Sequence, residues 1–154
     1  MKRVAVFPSV FGRLMTDGSR QDGAATSLKA YREEVLRDLR WLLNTSCHPS
    51  SSAIHRYKRV AASTLNFGTR DFVGVSASSV DPEEVAEAVQ EAISKFEPRI
   101  SPETLMVSIV ENRNTGNFDR FILEISGDLW ALPATEPLKL TTTWYVVGGA
   151  WAFV

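Results

Sequence analysis

The sequence predicts an α+β fold in which N-terminal helices pack on a small antiparallel or mixed sheet of about 3–5 strands, with a C-terminal hairpin. Two stretches with helical apolar spacing come first, at residues 28–44 and 82–96. From residue 105 onward, apolar residues instead alternate with a period of two. Helices followed by strands are typical of a fold in which the two kinds of element are segregated.

The 154 residues suffice for one domain with its own core. Residues 15–27, MTDGSRQDGAATS, are polar and rich in glycine, with almost nothing to bury. We therefore expect residues 1–27 to be a flexible N-terminal segment, with a short turn or helix at residues 8–15. Residues 28–154 are expected to form a single domain.

The first helix is predicted from Leu28 to Asn44, where the polar residues Asn-Thr-Ser end it. Its apolar stripe consists of Val35, Leu36, Leu39, Leu42 and Leu43. Arg37 and Trp41 fall on the opposite face. A tryptophan on a charged helix face is a candidate partner contact, unless the N-terminal segment covers it.

The second long helix has clear start and stop signals. Asp81 is the predicted N-cap, Pro82 occupies the first helical position, and Glu84 is placed to close a capping box. Pro98 disfavours a helical conformation at Glu97, so the helix must end there. Between the two helices, residues 60–68 are expected to form a short helix.

The C-terminal third is predicted to be strands. Residues 105–111 and 120–126 alternate around a turn sequence, Asn-Arg-Asn-Thr-Gly-Asn, and so predict a hairpin. Residues 127–133 are expected to leave the sheet. A third strand is predicted near residues 138–145 and a last one at residues 150–154, after the glycine pair.

Composition excludes several classes of protein. The net charge of −1 and the pI of about 6.1 give no basic excess for nucleic acid. No window approaches the roughly 20 apolar residues of a membrane span, and the apolar run at residues 4–7 is too short for a signal peptide. We therefore expect a cytoplasmic protein.

The pair Cys47-His48 invites a metal or nucleophile interpretation. A structural zinc site needs four ligands, whereas the chain contains one cysteine and two histidines. A cysteine nucleophile needs a base oriented by a third group, which adjacency in sequence does not supply. We expect an ordinary loop here, and neither a metal nor a cofactor.

The sequence Phe-Glu-Pro-Arg-Ile at residues 96–100 joins the second helix to the strands, and it has two interpretations. Glu97 and Arg99 could be a surface ion pair at a helix stop, which contributes only about 0–1 kcal/mol. Alternatively, Pro98 holds the two charges as a stiff docking point for another protein. Local chemistry leaves both open.

Four segments together resemble a known family: VLRDLRWLLNT, STLNFGTRDF, FEPRI and FILEISGDL, in this order and spacing. They are similar to the lysozyme-like baseplate wedge family of contractile injection machines, and within it to the type VI secretion system branch. The chain departs from the family pattern at Ser46-Cys47 and at residues 69–71, after the Asn-Phe-Gly of the second segment.

The resemblance implies a baseplate subunit that is not an enzyme. It implies that the wedge proteins TssF and TssG bind the Glu97-Pro98-Arg99 segment, and that contractile sheath subunits add strands to the sheet. The C-terminal strand around Trp151 and Phe153 is our expected edge for that addition. The full set of candidate partner-binding residues is Glu97, Pro98, Arg99, Arg37, Trp41, Asn66, Asp71, Trp151 and Phe153.

Two rival functions follow from the same resemblance. A peptidoglycan hydrolase would need a pair of carboxyl groups, with Glu97 as the acid and Asp71 or Glu124 as its partner. The nearby Arg99 argues against this, because a cation lowers a carboxyl pKa instead of raising it. The other rival is an adapter protein that uses the same fold to bind a signalling or protease partner.

Overall fold

The computed structural model describes residues 27–72, 74–75, 79–110, 120–131, 135–146 and 148–153. Its α-helices are α1 (Leu28–Leu43), α2 (Lys58–Ala61) and α3 (Pro82–Phe96). Its strands are β1 (Met106–Ile109), β2 (Arg120–Leu129), β3 (Glu136–Tyr145) and β4 (Ala150–Phe153). The predictions for residues 1–26 lie outside the described residues, and the division into segment and domain stays a prediction.

The four strands form one sheet in the order β1-β2-β3-β4, with every neighbouring pair antiparallel. This confirms the predicted α+β class and the hairpin. The expectation that the chain leaves the sheet at Gly127 is wrong. Gly127 and Asp128 pair with Leu138 and Pro137, so β2 continues to Leu129 before the chain departs.

Helix α1 ends within one residue of its prediction. The Ser27 side chain caps its N-terminus by accepting a hydrogen bond from the N–H of Ala30, and Asn44 is the C-cap. The predicted stripe is buried except for Leu36, which is half-buried. Tyr31, which the pattern did not include, is buried as well.

Helix α3 begins and ends where predicted, but its N-terminus is capped differently. The Asp81 carboxylate accepts from the N–H of Glu83 at 2.9 Å, one residue earlier than a capping box requires. Glu84 instead lies 3.6 Å from Arg70 as an ion pair. The capping-box prediction is therefore wrong, because the Glu84 carboxylate forms an ion pair with Arg70 of the preceding loop.

The core lies between the two long helices and one face of the sheet. Helix α3 packs on β1, and α1 contacts both α3 and β4. Trp144 of β3 is buried at the centre of an aromatic group that includes Phe72, Phe121 and Trp151. The segment between α1 and α3 holds α2 and two 3₁₀ turns (Ala53–Arg56 and Thr64–Asn66), where a single short helix was predicted.

Candidate functional site

The Glu97-Pro98-Arg99 segment is fixed at both ends where α3 meets the sheet. The N–H of Glu97 completes α3 by donating to the carbonyl of Ile93 at 2.9 Å. Ile100 pairs with Leu129 as an isolated antiparallel bridge. The carbonyl of Arg99 accepts from the N–H of Trp130 at 2.7 Å. The backbone at this segment is therefore held by the helix on one side and by the end of β2 on the other.

Three side chains form what we call the Arg99 cluster: Asp38, Glu97 and Arg99. The guanidinium donates to Glu97 through Nε at 2.6 Å and through Nη2 at 2.5 Å. The same Nη2 donates to the Asp38 carboxylate at 2.6 Å. The backbone N–H of Arg99 adds a further bond to Glu97 at 3.2 Å. The cluster therefore joins α1 to the segment that follows α3.

Burial differs sharply within the Arg99 cluster. Glu97 is 3% exposed, whereas the Arg99 and Asp38 side chains are 21% and 25% exposed. The interpretation of Glu97 and Arg99 as a solvent-exposed surface ion pair is therefore wrong. Burial lowers the pKa of Arg99, but the hydrogen bonds and charges of Glu97 and Asp38 raise it by more, so its pKa lies above the ordinary value. The guanidinium stays charged at every physiological pH.

This arrangement gives the Arg99 cluster a structural role inside the chain. Removing one partner of a buried ion pair typically costs about 3–5 kcal/mol, because a buried charge is left uncompensated. Glu97 presents little surface to another protein. Pro98, by contrast, is exposed, and Arg99 keeps part of its side chain at the surface.

Two exposed tryptophans are linked to the Arg99 cluster, Trp41 through the Arg37 side chain and Trp130 through its backbone. Trp41 is 49% exposed, and the Arg37 guanidinium lies 5.2 Å from the centre of its ring. Arg37 also contacts Asp38 at 3.0 Å, so a series of contacts leads from Trp41 to the cluster. We call Arg37, Trp41, Pro98, Arg99 and Trp130 the tryptophan surface.

Trp130 is the member of the tryptophan surface that sequence reasoning missed. It is 65% exposed, yet its N–H donates to Arg99 and its carbonyl accepts from the Tyr31 hydroxyl at 2.9 Å. A large side chain is thus presented from a backbone that is fixed on both sides. The available signal was that Trp130 follows directly after β2, whose residues alternate between apolar and polar. The sequence prediction ended that strand at Ser126, three residues before its actual end at Leu129.

The second resembling segment has a structural role that its residues explain. Asn66 is buried, where its side chain accepts from the N–H of His48 at 3.0 Å and donates to the carbonyl of Ala61 at 3.1 Å. Gly68 has a φ of +127°, and a Cβ there would lie 2.3 Å from the carbonyl oxygen of Thr45. These residues hold the loop against the end of α1, while Asp71 is exposed.

The expected edge strand β4 is partly covered by α1. Trp151 is buried, and Phe153 is half-buried under Arg40 at 5.6 Å. The Oδ1 atom of Asn44 accepts a hydrogen bond from the N–H of Trp151 at 3.0 Å, and the Nδ2 atom of Asn44 donates to the carbonyl of Trp151 at 3.4 Å. A strand added beside Trp151 would have to displace Asn44.

At the opposite edge of the sheet, β1 has no further strand beside it among the described residues. The N–H of Val110 donates to the carbonyl of Ile122 at 2.8 Å, across the β1–β2 register. Because hydrogen-bonded and non-hydrogen-bonded pairs alternate, the polar groups of Val107 and Ile109 point away from β2. Met106 is 63% exposed and Val110 is 42% exposed, so apolar side chains lie along this edge.

The structure bears on two candidates for chemistry that the sequence raised, the Cys47 nucleophile and a metal site. Burial raises the pKa of the Cys47 thiol, which the charge of Lys95 only partly offsets, so the thiol is a poor nucleophile at neutral pH. No three His, Cys, Asp or Glu side chains in the described ranges are grouped as metal ligands. None of the described helices combines the length and the apolar character needed to cross a bilayer.

The fold and the site define a small α+β protein whose distinctive features are an internal ion cluster, two exposed tryptophans and, among the described residues, a sheet edge at β1 without a neighbouring strand. Residues 29–134 match the family described as baseplate wedge protein gp25, and the chain belongs to that family. No curated protein matches the chain.

One solved structure is similar to the chain. It comes from Geobacter sulfurreducens and is described as a candidate tail lysozyme. It is 21% identical, with a TM-score of 0.47, and the match covers 79% of this chain and 96% of that one.

Proposed function

We propose that the chain is the TssE subunit of a type VI secretion system baseplate, that it acts in the cytoplasm, and that it binds the wedge proteins TssF and TssG. Membership of the baseplate wedge family supports the structural role. The four resembling sequence segments support the assignment to type VI secretion. The observation that supports this interface most directly is the tryptophan surface. The Arg99 cluster holds part of that surface in place.

The tryptophan surface has the properties of a protein-binding hot spot. Tryptophan and arginine are enriched at such sites, because they bury a large area and also form directed polar contacts. Side chains that are already ordered lose less conformational entropy on binding, and this raises affinity. The Arg99 cluster supplies that order by fixing Arg99 and the backbone of Trp130. Within this proposal Glu97 positions Arg99, and Pro98, Arg99, Arg37 and Trp41 contact the wedge proteins.

The sheet provides the second proposed contact, strand addition by the first sheath subunits. Each added backbone hydrogen bond contributes about 0.5–1.5 kcal/mol net. The β1 edge, with the outward groups of Val107 and Ile109, is the better candidate for this addition. A strand added along β4 could pair with Phe153 without displacing Asn44, but not with Trp151. Strand addition at β4 would therefore involve few residues.

Co-expression with TssF and TssG, followed by size-exclusion chromatography, tests the wedge contact. Trp41→Ser should abolish co-elution, because it removes an anchor of the tryptophan surface while Asp38, Glu97 and Arg99 are all retained. Tyr57→Ser is the matched control, since Tyr57 is 66% exposed and lies on the loop before α2. Loss of co-elution in both variants, or in neither, would contradict the proposed surface.

A hydrolytic function is the second candidate, and the geometry disfavours it. The carboxylates nearest to each other at this site, Glu97 and Asp38, both bind the Arg99 guanidinium. Glycoside hydrolysis needs two carboxyl groups that flank the scissile bond, whereas here the Arg99 guanidinium is bound by both of them. Glu124, a proposed partner carboxylate, lies 2.9 Å from Lys139 in an ion pair.

Turbidity of a peptidoglycan suspension tests the hydrolase directly. The purified chain should leave the suspension unchanged. Clearing that Asp38→Asn abolishes in a folded protein would establish the hydrolase and overturn the structural role. In pull-downs, capture of a lone protease or signalling protein in place of wedge proteins would favour the adapter.

A further inference from the structure

A groove of about 300 Å³ lies between α1 and the sheet at β3 and β4. Helix α1 contributes Arg32, Leu36 and Arg40, which are spaced four residues apart and so share one face of the helix. The sheet contributes Lys139, Leu140 and Phe153. None of the described residues that line the groove is acidic.

The groove combines an apolar floor with cationic walls. Leu36, Leu140 and Phe153 supply the apolar surface. Arg40 lies 5.6 Å from the centre of the Phe153 ring, and Arg32 reaches the carbonyl of Lys139 only at 3.4 Å. Among the described residues, neither arginine has a carboxylate partner within ion-pair distance. Within the described part of the chain, the two guanidinium groups on either side of Leu36 therefore have no anion of the kind that arginine commonly pairs with.

We propose that this groove docks an acidic peptide segment of a partner protein, in which a glutamate or aspartate is flanked by aliphatic side chains. The carboxylate would lie between Arg32 and Arg40, and an aliphatic neighbour would contact Leu36, Leu140 and Phe153. Charge complementarity specifies the acid, and the apolar floor specifies its neighbour. A nucleic acid fits less well, because it offers phosphate but no aliphatic side chain for the floor.

The size of the groove agrees with a peptide segment. Pockets for drug-sized ligands and cofactors range from roughly 300 to 1,000 Å³, so this groove lies at the lower limit. Such a volume suits two neighbouring side chains of a peptide better than a whole cofactor. The inference does not rest on the proposed baseplate function, because it uses only the charges and shape of this groove.

Amide chemical shifts of the ¹⁵N-labelled full chain provide the test. The probe is a short, end-blocked peptide of alternating leucine and glutamate, compared with the peptide in which glutamine replaces each glutamate. The acidic peptide should shift the amides of Leu36, Leu140 and Phe153, and the glutamine peptide should bind at least tenfold more weakly. Equal binding of the two peptides, or shifts confined to another surface, would overturn the proposal.

Charge-matched variants separate the groove from the general charge of the chain. Arg32→Gln with Arg40→Gln should weaken the acidic peptide at least tenfold. Lys58→Gln with Arg59→Gln removes the same charge from exposed positions of α2 and should have little effect. If both double variants weakened binding of the acidic peptide equally, the attraction would be nonspecific and the proposed site would be overturned. Tighter binding of a thymidine oligonucleotide than of the peptide would also overturn the proposal. Amide spectra of each free variant confirm that it is folded.

Discussion

Replacement of Glu97 or Arg99 alone should destabilise the chain far more than loss of a surface ion pair would. Glu97 is 3% exposed, and its carboxylate accepts three hydrogen bonds from Arg99. Among the described residues, Arg99→Met removes the cation that binds this buried carboxylate, and Glu97→Gln leaves the guanidinium with Asp38 as its charged partner. Each single change should therefore cost about 3–5 kcal/mol in the free energy of unfolding.

The double variant should cost much less than the sum of the two. Replacing both partners removes the uncompensated charge, so we expect a coupling energy of about 2–3 kcal/mol. Urea unfolding followed by tryptophan fluorescence measures all four proteins, since the chain contains four tryptophans. If either single variant lost less than about 1 kcal/mol, the cluster would behave as an exposed pair. That outcome would refute the argument from burial.

Three further stability predictions follow from local geometry. Gly68→Ala should destabilise the fold by about 1–3 kcal/mol in urea unfolding, since the new Cβ would meet the carbonyl oxygen of Thr45 at a positive φ. Asn44→Ala should speed amide hydrogen exchange at Trp151, whose N–H then loses its acceptor, while distant amides stay unchanged. Burial raises the pKa of Tyr31 above 10.0, and the charge of Arg99 only partly offsets this effect. The neutral Tyr31 side chain therefore contributes its full stability below pH 10, and that contribution is lost as the pH rises through the pKa of the folded state. Tyr31→Phe should abolish that alkaline fall in unfolding free energy.

Periodicity, together with the N-cap and proline signals, was enough to predict the two long helices and the order of the strands. These signals are local, because apolar spacing and proline act within a few residues of where they stand. Of the stripe predicted for α1, Val35, Leu39, Leu42 and Leu43 are buried and Leu36 is half-buried. The end of β2 was predicted too early because Gly127 and Asp128 are poor strand formers, and pairing with β3 overrides that preference.

The contacts that define the candidate site could not be read from local sequence. Asp38 meets Arg99 across 61 positions, and Asn44 meets Trp151 across 107. The adjacency of Glu97 and Arg99 suggested a pair, but its burial depends on how α1 packs beside the segment after α3. The same packing fixes Trp130 through Tyr31, so its role emerged only in three dimensions.

Site-specific photo-crosslinking tests the central claim that the tryptophan surface binds the wedge proteins. A photoreactive phenylalanine derivative would replace Trp41 in one sample and Tyr57 in another, each co-expressed with TssF and TssG. We predict covalent adducts to a wedge protein from position 41 and none from position 57. Adducts from position 57 alone, with none from position 41 in an intact complex, would place the interface elsewhere and contradict the account.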